Sequence, residues 1–257
     1  MPRPPMSFAF RGPSMSNELH PVAEDWSTAL AVVAHPDDLE YGAAAAVARW
    51  TAQGKNVVYC IATRGEAGID AMAPEWAGSV REREQRVAAA IVGVHAVEFL
   101  DHQDGIIEYG IPLRRDIARV IRRHRPDVVL TANHHLTWMG GAPNQADHIA
   151  VGRAVIDGVR DAANRWVFRD QLDEGLEPWS GVRSVLVAGS PYPTHAVDVD
   201  EHFATGVKSL RAHSTYLDGL SEGPMADPEQ FLTGIARGAG ERLGCTYAMA
   251  FEQIPLS

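Results

Sequence analysis

Cysteine is nearly absent. Cys60 and Cys245 are the two in 257 residues, too few for a disulfide framework. Cys60 lies in the apolar run Val57-Val58-Tyr59-Cys60-Ile61-Ala62 and reads as a buried thiol. Long apolar runs are also missing: no stretch of about 18 uncharged apolar residues is available to span a bilayer. The N-terminal MPRPPMSFAFRGPSM has no apolar core of signal-peptide length, so a cytoplasmic location without stable membrane insertion is expected. Positive charge is in deficit, with 23 Lys plus Arg against 33 Asp plus Glu and a formal net charge of −10. Proteins that track a phosphate backbone depend on clustered positive charge, so no nucleic-acid partner is expected. Repeats are lacking, as is any low-complexity tract beyond the N-terminal arm. The first strand is not followed by the glycine-rich turn that would seat a dinucleotide pyrophosphate.

What is present is a pattern of short apolar runs alternating with helical segments. Strands are expected at 29–34, 57–62, 96–100, 127–131 and 184–188, with a short edge strand at 197–199 and a last strand near 248–254. Between them lie an Ala-rich helix from Gly42 to Gln53, a helix capped by Ser79 and running through Ile91, and one opened by Pro112 and ending near His124. A long helix is expected from Ala146 to Ala163, another behind a cap at Asp200, and a short one from Pro228 to about Ala239. This alternation predicts right-handed crossovers and an α/β, Rossmann-like three-layer fold with a mostly parallel sheet. Residues 1–27 read as a loose or partner-clasped arm, 28–257 as one catalytic domain, and 168–183 as a local insertion.

Ligands of such sheets gather beyond the carboxyl ends of the strands. Those ends carry His35, Asp37 and Asp38, then Arg64 and Glu66, then Asp101, His102 and Asp104, then the loop from His134 to His148. In Ala34-His35-Pro36-Asp37-Asp38, Pro36 restricts the turn, which can aim His35 and one carboxylate at a common ion while the adjacent Asp serves as a base. Asp147-His148 opens a distant helix and adds a second imidazole. Two His and one Asp with an open position suit catalytic zinc better than a hard oxygen-seeking cation. The competing reading makes Asp37 or Asp38 a helix cap and His35 a loop residue.

Taken in order, Val33-Ala34-His35-Pro36-Asp37-Asp38-Leu39-Glu40, Thr63-Arg64-Gly65-Glu66-Ala67-Gly68, the helix with Arg81 and Glu84, Asp101-His102-Gln103-Asp104-Gly105, Asp147-His148 and Lys208-Ser209-Leu210-Arg211-Ala212-His213-Ser214 resemble the PIG-L/LmbE-like metal-dependent N-deacetylases. That family includes N-acetylglucosaminyl-phosphatidylinositol deacetylases and deacetylases of mycothiol and bacillithiol biosynthesis. The resemblance spans about residues 29–215. It implies zinc on His35, Asp38 and His148, Asp37 as general base, and Asp147 as a carboxylate that orients an imidazole. Where the family commonly has His-Pro-Asp-His, this chain has Gln145-Ala146-Asp147-His148. The oxyanion donor is therefore Gln145, His134, His135 or His213.

Arg64 and Glu66 are candidates for substrate contact, Arg64 alternatively pairing with Glu66 or Glu84. Arg81 and Glu84, three apart on one helix face, are expected to form an intrahelical or loop-bracing pair. Asp104 is a hydroxyl-binding or loop-orienting residue, and Trp138, with Met139 and Trp76, a candidate apolar wall. The implied reaction is hydrolysis of an N-acyl, chiefly N-acetyl, amide on a small amino sugar or its conjugate, by an enzyme expected to self-associate. An amidase for larger conjugates and a non-catalytic carbohydrate-binding scaffold are the alternatives.

Overall fold

The computed structural model describes residues 18–220 and 225–256. In chain order the elements are β1 (His20–Pro21), β2 (Thr28–Val33), α1 (Asp38–Gly42), α2 (Ala44–Ala52), β3 (Asn56–Ile61), α3 (Pro74–Ile91), β4 (Ala96–Phe99), α4 (Ile111–His124) and β5 (Val128–Ala132). There follow α5 (Ala146–Ala163), α6 (Asp170–Asp173), β6 (Ser184–Ala188), β7 (His195–Asp198), α7 (Phe203–Arg211), α8 (Ser214–Gly219), α9 (Pro228–Leu243) and β8 (Ala248–Pro255). All eight strands form one sheet, ordered β1-β7-β8-β6-β5-β2-β3-β4. Pairing is parallel except at β8, which runs antiparallel to both β6 and β7.

The run Thr-Ala-Leu-Ala-Val-Val of β2 is buried from Ala29 onward because both faces of the sheet are covered. Ala29, Ala31 and Val33 face a cluster with α2, α3 and Phe251, while Leu30 and Val32 face α4 and α5. This is the expected three-layer architecture. No helix among the described residues is long and apolar enough to cross a membrane. Cys60 is buried and both cysteines are free thiols; burial raises the Cys60 pKa well above its ordinary value.

Several boundaries differ from the sequence expectations. Helix α3 begins at Pro74, so Ser79 lies inside it; a proline in the first turn followed by Glu75 is the true start signal. The helix expected from Gly42 is two, α1 starting at Asp38 and α2 after a break at Ala43. Asp200 does not cap α7, whose N-cap is His202; its carboxylate instead accepts from the Thr246 and Tyr247 amides. Strand β7 is internal rather than at the edge, because His20 and Pro21 pair outside it. Residues 18–27 of the expected arm therefore pack on the sheet, with Val22 and Trp26 in the core. The rest of that arm lies outside the described residues.

Candidate active site

The carboxyl ends of β2, β4 and β5 and the start of α5 meet at one place. At the end of β2 the chain turns through Asp37, a non-glycine residue at φ 91°. Such left-handed backbone is costly and is held only by surrounding contacts. Here the Asp37 amide donates to Gln85 Oε1 at 2.9 Å. Asp38 then folds back, its Oδ2 accepting from the Ala34 and His35 amides at 3.0 and 2.9 Å. The helix that supplies Asp147 and His148 must come close to β5, and Gly152 allows it: a Cβ there would lie 2.8 Å from the Ala132 carbonyl oxygen.

His35 Nδ1 lies 3.2 Å from His148 Nε2, which lies 3.0 Å from Asp38 Oδ1. His148 is 113 positions from His35 and 110 from Asp38 in sequence. On its far side, His35 Nε2 sits 3.0 Å from Asp104 Oδ1 and 3.2 Å from Asp147 Oδ2. Asp147 is in turn fixed by the Gly105 and Ile107 amides at 2.7 and 3.0 Å. His148 Nδ1 faces Asn144 Oδ1 at 3.1 Å. The Asn144 amide nitrogen is committed to the carbonyls of Asn133 and His135, so its oxygen is the acceptor. Acceptors on Nε2 of His35 and Nδ1 of His148 place a hydrogen on each of those atoms. The two remaining ring nitrogens then face each other beside a carboxylate, an arrangement that calls for a cation, a proton or a metal ion, between them.

Charge agrees with geometry. Burial disfavours ionised His35, yet Asp104, Asp147 and Asp38 outweigh it and push the imidazole up to about 12. Burial likewise opposes ionised Asp38, and His148 and His35 overcome it, holding the carboxyl well below its ordinary range. The pocket carries more carboxylate than imidazole and is built to hold positive charge. His35, Asp38 and His148 supply two nitrogens and an oxygen within 4.8 Å of one another, a donor set that fits a divalent transition metal.

Asp37 is buried beside this triad, its Oδ2 accepting from Arg81 Nη2 at 2.9 Å. Arg81 also donates to the carbonyls of Pro36 and Gly65, and a Cβ at Gly68 would lie 2.0 Å from its Nη1. Arg81 therefore does not pair with Glu84. Glu84 accepts from the Thr215 amide at 2.6 Å, bracing the start of α8. Of the intrahelical or loop-bracing roles their spacing suggested, both residues take the second, because helix α3 turns both side chains inward. Gln85 and Asn144 are contributors that sequence spacing did not single out.

The other candidates separate into distinct surroundings. Arg64 pairs with Glu82 and Asp101, not with Glu66 or Glu84, and Glu66 accepts from the Arg64 amide. Both line a hollow of about 320 Å³ with Pro74, Asp101, His102 and Gln103. Asp104 is committed to His35 and to the Ala67 amide. Gln145 is exposed at the N-cap of α5. His213 is fully buried, 3.5 Å from Glu40. His134 and His135 lie together, with His135 2.7 Å from Glu252. Trp138 stands edge-on to His148 at 5.7 Å, while Trp76 and Met139 are exposed.

Residues 30–159 match the family model of PIG-L, GlcNAc-PI de-N-acetylase. The chain is 29% identical to a diacetylchitobiose deacetylase of Thermococcus kodakarensis, over 90% of this chain and 84% of that one. It is 31% identical to a 1D-myo-inositol 2-acetamido-2-deoxy-alpha-D-glucopyranoside deacetylase of Kineococcus radiotolerans, over 72% and 68%. Among solved structures, the N,N'-diacetylchitobiose deacetylase of Pyrococcus horikoshii superposes with a TM-score of 0.81 at 24% identity, over 90% and 85% of the two chains, a likeness of fold.

Proposed function

The chain belongs to the PIG-L, GlcNAc-PI de-N-acetylase, family, and from that premise we propose that it hydrolyses the N-acetyl amide of a small amino sugar or its conjugate. The products are acetate and a free amine, and zinc is the metal we assign to His35, Asp38 and His148. The observation that carries this reading is the convergence of those three donors beside the buried carboxylate of Asp37. When bound, zinc supplies Lewis acidity, polarising the amide carbonyl and making an attacking water more acidic.

The chain's own groups do the rest. Asp37 accepts the proton of the attacking water and later returns it to the departing amine. Arg81 holds Oδ2, so Oδ1 is the oxygen we assign to that proton. Burial raises the Asp37 pKa against the opposing charges of Arg81 and His213. Asp104 and Asp147 are assigned to His35, keeping its tautomer, rather than to a substrate hydroxyl. Gln145, exposed three residues before His148, is our assignment for the amide donor to the developing oxyanion. His213, with no exposed surface, is assigned to the support of Glu40 and not to substrate. The Trp138 ring beside His148 offers a flat apolar face for a sugar ring.

The test is an amine-release screen of N-acetyl amino sugars on chelated protein, with and without restored zinc. Zinc-dependent release is expected. Asp37→Ala should keep zinc and lose about 10²–10⁴-fold in turnover, whereas His35→Ala should lose zinc affinity. Equal zinc occupancy and turnover in both variants and the parent would reject the assignment.

A further inference from the structure

A second group of donors lies at the same edge of the sheet, outside the His35 cluster. His134 and His135 follow β5, and Glu252 lies in β8, paired with Val187 of β6. One donor atom from each falls within 4.8 Å of the others. His135 Nε2 is 2.7 Å from Glu252 Oε2. Ser190 Oγ donates to the same oxygen at 2.6 Å and is itself held by the Tyr192 amide. The Tyr192 ring stands edge-on to His135, with centroids 4.9 Å apart. The carboxylate and one imidazole are thus oriented by neighbours with no role in the reaction above.

His134 completes the group. Its ring lies 4.1 Å from that of His135, and among the described residues its buried Nδ1 has no hydrogen-bond partner. A buried ring nitrogen without a partner is costly unless something fills the place.

We propose that His134, His135 and Glu252 form a second divalent-cation site, separate from His35, Asp38 and His148. Two imidazoles and a carboxylate select a borderline transition metal such as zinc or cobalt over calcium or magnesium, which prefer an all-oxygen shell. The two sites share one link. The His135 carbonyl accepts from Asn144 Nδ2 at 2.9 Å, and Asn144 Oδ1 faces His148 Nδ1 at 3.1 Å. An ion that immobilises His135 therefore stiffens the residue that sets the His148 tautomer. The second site does not depend on the amide-hydrolysis reading.

The experiment is a cobalt titration of the chelated full chain, followed by metal analysis after gel filtration and by visible absorption. The parent should hold two cobalt ions per chain. Glu252→Gln and His134→Gln should each hold one, and His148→Ala should keep the second ion. The two single-donor variants guard against a folding defect in either, checked by circular dichroism. One ion per chain in the saturated parent, two retained in both Glu252→Gln and His134→Gln, or none in folded His148→Ala would overturn the proposal.

Discussion

Two buried charged centres in this molecule use similar chemistry to opposite ends. Arg122, in α4, is 2% exposed. Its guanidinium donates to the carbonyls of Asp161, Ala162, Asn164, Val167 and Phe168 and to Gln171 Oε1. Every strong donor direction ends on an acceptor supplied by the chain, so the group ties α4 to the end of α5 and the loop before α6. Around His35 the count runs the other way. Carboxylates outnumber imidazoles, and one ring nitrogen from each of His35 and His148 converges with an Asp38 oxygen on one point. Burial of charge does not distinguish a site from a strut; unsatisfied valence directed at one point does.

The strut should show the largest effect on stability. Arg122→Met strips several buried carbonyls of their partner and is expected to cost about 3 kcal/mol in urea unfolding. Metal affinity of the folded variant should be unchanged, and a parallel fall in metal binding would erase the distinction between the two centres. At the site, Asn144→Ala should do the converse. Loss of the acceptor on His148 Nδ1 should lower zinc affinity about 10–100-fold, with a smaller fall in the urea midpoint than Arg122→Met, since two carbonyls rather than five lose a donor. Wild-type affinity in a competition titration would mean that the tautomer is set elsewhere.

The smallest effect concerns a third, surface-open cluster. Glu24 is partly desolvated, which raises its pKa, but bonds from Arg49, Gln53 and Trp50 outweigh this and hold the carboxyl below its ordinary value of 4.5. A lowered folded pKa gives stability that is present above 4.5 and lost as pH falls through the folded value. Glu24→Gln should therefore flatten the acid side of the stability–pH curve and leave metal binding alone. An unaltered acid slope by thermal melts would show that the clasp contributes nothing.

Much of the architecture was legible. Strands buried on both faces appear as continuous apolar runs, and α5 fell at Ala146–Ala163 as its pattern predicts. Helix starts were less legible where two signals competed, as at Ser79 against Pro74. At the site, the residue types and the strand exits that bear them could be read from the chain. The partners of Arg81 were not legible, because a three-residue spacing suggests a pair with Glu84 and nothing in it reveals which helix face is buried. Asn144 and Glu252 lacked any local pattern: their meaning comes from partners at His148 and His135.

The order of apolar runs and helical segments dictated a covered parallel sheet, since hydrophobic periodicity is a local property of the chain. So did the placement of titratable residues just past the strands. Which of those residues meet, and through which atom, followed from packing: α5 approaches β5 at Gly152, and that approach brings His148 to Asp38. Contacts across 110 positions depend on where whole elements settle, and no short stretch of residues encodes that distance.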